Sequence, residues 1–358
     1  MTANESYTTI TLYGIEKDLD RALYLVNGLI NDARIAQKDI KTLYEGEKAS
    51  RKLERSDPDN VADALFDWVL YGDKSQYIDR LKMKEIASLN ADSLANSFHQ
   101  ATLYEVELHY TGKLDPQEVK SRITQNLRFA DNLKSNDVPV VKPIRNYNEN
   151  TVLVVDKKKA LQSKIYFMQN GSPVSVDQTP TIEAFNLYFG GDFSGLVLQE
   201  VREYRSLAYS AGARYRIPQR VDSPAYFYGY IGTQADKTGE ALDIFMDLLR
   251  NMPEKTERMK MINSYLELSS VTSRPDFRNL STYILELRQK GFTEDPAKLF
   301  SQTYKTMQFD QITKFYNENI RNKPTVIAIV GNQKNLDMKK LGSFGKLTLI
   351  PEKSLFKD

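Results

Sequence analysis

Hydrophobic and polar positions alternate over Tyr7–Tyr13 and again over Leu103–Tyr110 (LYEVELHY), a period of two that predicts strands. Between them the period lengthens. Ala22, Leu23, Leu25, Val26, Leu29 and Ile30 mark an amphipathic helix, and a long polar helical stretch follows to Ser56. Asp57-Pro58-Asp59 reads as a helix start, and that helix carries Val61, Leu65 and Trp68 to Gly72. A further helix is predicted over Ser88–Gln100, and another from Asp115-Pro116.

Residues 133–150 turn polar and proline-bearing, which predicts a linker between a unit at 1–132 and one at 151–358. Strands are then expected at Thr151–Val155, Lys164–Met168, Tyr209–Ile217 and Ala225–Ile231. Phe185–Ala211 lies among them. It begins as a helix, breaks at Gly190-Gly191, resumes as a helix with Leu196, Val197, Val201, Arg202 and Arg205, and ends in alternating Ala208-Tyr209-Ser210-Ala211.

The pattern repeats. Ala22 corresponds to Ala241, Asp57 to Asp276, Gly72 to Gly291 and Gly112 to Gly331, at one offset of 219 (291 − 72). The copies are unequal. About eighty residues of strand and helix, 151–225, precede the second copy, whereas only Tyr7–Tyr13 leads the first. A sheet without its central strands leaves backbone groups and apolar surface unpaired. The first unit is therefore expected to be truncated, completed by upstream chain or by a partner.

Composition narrows the functional classes. A chain of 358 residues with 41% hydrophobic and 11% aromatic residues can build two cores. With 49 basic and 47 acidic residues the charge is too even to point to nucleic acid or an anionic membrane. There is no cysteine, so disulfides and thiolate metal sites are excluded. No apolar run reaches the length of a membrane helix, and MTANESYTTITLYG has no signal-peptide pattern.

Few residues offer chemistry. The two histidines, His99 and His109, sit in neither H-E-x-x-H nor its inverse H-x-x-E-H. His109 alternates with Glu105 and Glu107, but strand neighbours on one face stand about 7 Å apart and cannot share one ion without a bend. No metal site is expected. YFGGDFSG lacks a following Gly-Lys-Ser/Thr and does not follow a strand, so it reads as a helix break rather than a phosphate loop. Ser194 has no partnering histidine. Arg202 and Tyr209 are left, and in a chain with 21 tyrosines an ordinary surface arginine and strand tyrosine compete with a functional pair.

Asn186–Tyr209 (NLYFGGDFSGLVLQEVREYRSLAY) resembles the insulinase/pitrilysin family of zinc metallopeptidases, whose C-terminal half carries a "yfGgg-S-L-qelRe-r-GLaYs" signature. The order of elements and the repeat also resemble that family's paired domains. Ser206 departs from the usual glycine. The resemblance implies an α+β chain of two homologous two-layer α/β sandwich units in the mitochondrial-processing-peptidase-like/LuxS-like fold, each an antiparallel sheet with helices on one face. It implies that this is the zinc-less half, with the zinc ligands and general base in an N-terminal H-x-x-E-H half or subunit. That half and unfolded peptide substrates are the implied partners. Tyr209 would hydrogen-bond the scissile carbonyl and stabilise the oxyanion alongside zinc, and Arg202 would hold a nearby substrate carbonyl. Alone, the chain is expected to be inactive. A non-catalytic scaffold of the same fold, or a peptide-binding protein, are the rival readings. Compartment is open, and a signal peptide upstream would make the protein periplasmic.

Overall fold

A computed structural model describes residues 1–3, 7–135, 141–191, 194–221 and 223–358. The first third is almost wholly helical: α1 (Leu19–Asn31), α2 (Gln37–Ser56), α3 (Pro58–Tyr71), α4 (Met83–Ala87), α5 (Ala91–Ala101) and α6 (Pro116–Asn126). Its only ladder among the described residues joins β1 (Thr2–Ala3) to β2 (Thr8–Thr9). The remainder holds β3 (Thr151–Asp156), β4 (Gln162–Pro173), α7 (Thr179–Phe189), α8 (Leu196–Leu198), β5 (Ala208–Arg216), β6 (Pro224–Gln234) and α9 (Thr238–Arg250). After these come α10 (Met259–Thr272), α11 (Leu280–Gln289), α12 (Pro296–Thr306), α13 (Phe309–Asn319), β7 (Val326–Gly331), α14 (Met338–Gly342) and β8 (Lys346–Leu349).

Six strands form one sheet in the order β5-β6-β4-β7-β3-β8. The β5-β6-β4-β7 part is antiparallel, but β3 runs parallel to both β7 and β8, so the sheet is mixed rather than antiparallel throughout. Burial follows the strand's place. β7 (VIAIVG) is buried at every residue and β3 at Val152–Val155, because both faces are covered there. Along β6, by contrast, burial alternates through Ala225, Phe227, Gly229 and Ile231, since one face lies partly open.

On one face, helices α7, α9, α10, α12 and α13 bury Ile165, Phe167, Phe185, Phe189, Phe227 and Phe245, with the Phe167 and Phe245 rings stacked at 3.8 Å. The other face is not bare, as a strict two-layer unit would leave it. There α3, from the first third, presses Val61, Leu65 and Val69 onto Leu153, Met168, Val326 and Ala328. Residues 144–147 of the expected linker pack here too. Tyr147 donates its hydroxyl proton to the Val69 carbonyl (2.9 Å), and Arg145 lies 4.6 Å over the Trp68 ring. Residues 136–140 of that stretch fall outside the described residues.

The 219-residue offset holds element by element. Helix α1 at 19–31 matches α9 at 238–250, and Asp57 and Asp276 each accept a bond from the amide two residues on (2.9 Å), as N-caps do. Gly72 (φ 58°) and Gly291 (φ 86°) end matching helices, each in the left-handed region that glycine alone enters freely.

The expected strands at Tyr7–Tyr13 and Leu103–Tyr110 form almost no sheet. Only Thr8 and Thr9 pair in the first, and the second has a single bridge, from Tyr104 to Lys134. Shifted by 219, these segments correspond to β6 and β7. In the complete sheet those two strands never touch, because both pair with β4 between them. Among the described residues of the first third no strand stands in the place of β4, and these two segments form no ladder with each other.

Helix α7 ends against the edge strand. Asn186 brackets Tyr215 of β5, donating to its carbonyl (3.0 Å) and accepting from its amide (2.6 Å), which caps part of the sheet edge. Gly190 follows, where an added Cβ would run into the Ala213 backbone. Gly190→Ala should therefore lower the unfolding free energy by about 1–3 kcal/mol or more in urea titration, because the obstacle is main chain and cannot rotate away.

Candidate functional site

The glycines of the break serve packing. Gly190 meets β5, Gly191 faces the Leu187 backbone and Gly195 the Gly191 backbone, and none of the three leaves room for a Cβ. A short helix then starts at Leu196 and widens at once into a π-helical turn, Gln199–Glu203, closed by the Tyr204 amide on the Gln199 carbonyl (2.9 Å). Buried Leu196, Val197 and Val201 hold one side of it to the core.

How the chain leaves this helix decides where Arg202 and Tyr209 stand. Leu207 N–H donates to the Val201 carbonyl and Ser206 N–H to the Arg202 carbonyl, both at 2.9 Å. With Ser206 at φ 49°, this is a Schellman stop with serine in the left-handed position. Buried Leu207 and Val201 flank the turn. A glycine preference at 206 thus has a backbone cause, and the serine carries strain. Ser206→Gly should raise the unfolding free energy by about 0.5–1 kcal/mol, measured by chemical denaturation.

Two residues beyond the stop, β5 begins with an irregularity. Ala208 pairs with Thr233 and Ser210 with Gly232, so Tyr209 is the extra residue of a β-bulge. The Thr233 hydroxyl donates to the Leu207 carbonyl behind it. Tyr209 is 67% exposed, and among the described residues its hydroxyl has no hydrogen-bond partner. It lines a cavity of about 520 Å³ with Leu161, Gln162, Gln234, Asp236 and Asn335.

Arg202 projects from the π-turn with its side chain 44% exposed, held only by a loose 3.6 Å pair with neighbouring Glu203. Arg202 is not among the residues lining the Tyr209 cavity. The two side chains are tied through the Schellman turn, not by direct contact. Arg205, three residues on, is committed elsewhere. Its guanidinium donates to the Glu200 carboxylate (2.5 Å) and carbonyl (2.8 Å), while Lys255 approaches the same carboxylate at 3.5 Å. Arg258 adds bonds to the Ser194 carbonyl (2.9 Å) and to Gln199. This frame fixes the helix and leaves Arg202 and Tyr209 as donors without a firm acceptor.

Burial pushes the Glu200 carboxyl upward, but the Arg205 hydrogen bond and the Arg205 and Lys255 charges outweigh it, so its pKa lies below the ordinary carboxylate value. The sign follows directly. With the folded pKa depressed, Glu200 stabilises the fold above its unfolded pKa, and that stability is lost as pH falls through the lowered folded value. Glu200→Gln should lower the melting temperature at neutral pH, and the gap to the parent protein should close on acidification.

Apart from Tyr209, sequence reasoning did not single out the cavity residues. Leu161, 89% exposed in a lysine-rich turn, is the one apolar side chain there that stood out of pattern. Nor did it find the Glu200–Arg205–Lys255 frame, in which Lys255 is brought to its two partners from a separate part of the chain. His109 lies 3.5 Å from Glu107, and His99 sits near the end of α5. Among the described residues no three His, Asp or Glu groups are disposed to hold a metal.

Residues 89–258 match the family model described as the peptidase M16 inactive domain. An uncharacterised zinc protease of Mycobacterium leprae is 22% identical over 211 residues, 58% of this chain and 47% of that protein, so the chain spans about half of that relative. The fold is that of a peptidase M16 inactive domain from Pseudomonas fluorescens (TM-score 0.66, 15% identity, covering 88% of this chain and 75% of that one). It is also that of a protease from Helicobacter pylori (TM-score 0.65, 11% identity, covering 88% and 77%). The chain resembles the C-terminal, zinc-less half of the insulinase/pitrilysin metallopeptidases. Residues 89–258 are thus similar to the M16 inactive domain, and 211 residues of the chain are similar to a zinc protease. Among the described residues no helix is long and apolar enough to cross a membrane.

Proposed function

We propose that this chain is the non-zinc half of an M16-type metalloendopeptidase, closing a substrate chamber whose metal and general base belong to an H-x-x-E-H half. The observation that carries the reading is the pair of uncommitted donors. Arg205 and Arg258 are consumed by the frame, while the Tyr209 hydroxyl and the Arg202 guanidinium face outward from rigid turns.

Both groups suit carbonyl oxygens. A phenol presents one O–H and a guanidinium several N–H donors, and neither competes for a divalent metal. Tyr209, raised on its bulge beside the cavity, donates to the oxygen on which charge develops as the peptide carbonyl is attacked. Arg202 holds a neighbouring carbonyl and so keeps the peptide in register. Donors already aimed at that oxygen need no reorganisation at the moment of reaction. Unfolded peptides are the fitting substrates, since recognition through backbone carbonyls requires extended chain. By itself the chain lacks the hydrolytic groups.

The test is reconstitution with the H-x-x-E-H half and turnover of an unstructured peptide. Tyr209→Phe should lower kcat/KM about 10²–10³-fold with zinc content unchanged. Arg202→Ala should act mainly through KM. Parent-like turnover by Tyr209→Phe would sink the role assigned to the hydroxyl.

A further inference from the structure

Helix α3 covers the β3-β7 side of one sheet face and leaves the β5-β6 side partly open. Val61, Leu65 and Val69 press onto Leu153, Met168, Val326 and Ala328. Asp63, Phe66 and Asp67 recur at helical spacing along the other border of α3. Beyond that border β6 turns Tyr226 and Tyr228 away from the core, half-buried, and β5 does the same with exposed Arg216. With Tyr166 of β4 these side chains line a cavity of about 290 Å³. Pockets for drug-sized ligands span about 300–1,000 Å³, so this one suits a single long side chain.

The walls are aromatic. The Phe66 ring lies 5.0 Å from Tyr166 and 5.1 Å from Tyr228, and Tyr166 and Tyr228 are 5.6 Å apart, centroid to centroid. Burial pushes both tyrosine hydroxyls up, Tyr228 to about 12, as poorly hydrated walls do. The balance of charge is negative. Asp63 accepts from the Tyr166 hydroxyl (2.5 Å) and Asp67 from the Gln76 amide (2.8 Å), each through one oxygen. Among the described residues the other oxygen of each is without a partner, and neither carboxylate forms an ion pair. Arg216 does not neutralise them, because its guanidinium rests over the Tyr228 ring, 5.2 Å from the centroid.

Two carboxylates to one guanidinium repel an anion, and two carboxylates alone make a poor cage for a metal ion. An organic cation gains from both features, resting on ring faces while the free oxygens accept its protons. A flat guanidinium suits a ring wall best, and Arg216 already lies on Tyr228 in that way. We propose that this cavity takes the arginine side chain of an extended polypeptide, stacked against Phe66 and Tyr228 and hydrogen-bonded to the free oxygens of Asp63 and Asp67. The polypeptide source follows from position. Gln162 and Tyr166 stand on one face of β4, the first lining the Tyr209 cavity and the second this one. Four strand residues separate them by about 13 Å, at about 3.3 Å each, a span that extended peptide covers with as many residues. That source rests on the peptide-binding reading of the Tyr209 cavity; the cation site itself does not.

The experiment measures binding of a fluorescently labelled, unstructured peptide with one central arginine to this chain alone, by anisotropy. Changing that arginine to glutamine should weaken binding at least about tenfold. Asp67→Asn keeps an acceptor for the Gln76 amide and removes the charge. It should weaken the arginine peptide at least about tenfold and leave the glutamine peptide unchanged, and Phe66→Leu should act in the same direction. No binding of the arginine peptide, or equal binding of the two peptides by the parent chain, would overturn the proposal. So would an Asp67→Asn protein that keeps the full preference, or a glutamate peptide bound as tightly as the arginine one. N-acetylarginine amide bound as tightly as the peptide would overturn the polypeptide source. None of these measurements involves turnover, so the role of Tyr209 can fail with the arginine preference intact, and the reverse.

Discussion

The double ladder on β4 is the constraint on which the structure depends. One twelve-residue strand hydrogen-bonds β6 along one edge and β7 along the other, and so joins the β5-β6 hairpin to the β7-β3-β8 group. Its side chains serve both layers. Ile165 and Phe167 enter the helix-covered core, while Met168 enters the second core under α3. The first third shows the consequence of lacking such a strand. Among the described residues, the segments matching β6 and β7 form no ladder with each other, as befits strands that in the complete sheet both pair with β4 and not with one another.

The same sheet positions the candidate site through a short series of backbone events. Gly190 allows α7 to close on β5, the π-turn opens the next helix, a Schellman stop reverses the chain at Ser206, and a bulge turns out Tyr209. Each step is local, but each is held by the core through Val197, Val201 and Leu207. Exposed Arg202 and Tyr209 therefore stand on segments packed against the core. Their charge environment is arranged likewise. Glu200 gathers Arg205 and Lys255, which leaves Arg202 as the guanidinium without a strong partner.

Packing between the two parts of the chain is reciprocal in plan and unequal in fact. Helix α3 reaches across to seal the second sheet, and its counterpart α11 reaches back toward segments that form no sheet. A helix with an apolar stripe needs a surface to cover. Leu280 and Ile284 of α11 are exposed, whereas their counterparts Val61 and Leu65 of α3 are buried against the sheet.

Much of this was legible in the residues. Periodicity located α1, α3, β3 and β6, the offset of 219 recovered the paired caps at Asp57 and Asp276, and the family resemblance carried by Asn186–Tyr209 drew attention to Arg202 and Tyr209. These features are local, or repeat at a fixed interval, so a linear reading reaches them. Only the tertiary structure decided the rest. Alternation over Tyr7–Tyr13 and Leu103–Tyr110 declares strand propensity, but a strand exists only when another chain segment accepts its hydrogen bonds, and that partner lies outside the local pattern. Likewise, nothing in the sequence separates Arg202 from Arg205. It is the fold that brings Glu200 and Lys255 to one of them and leaves the other free.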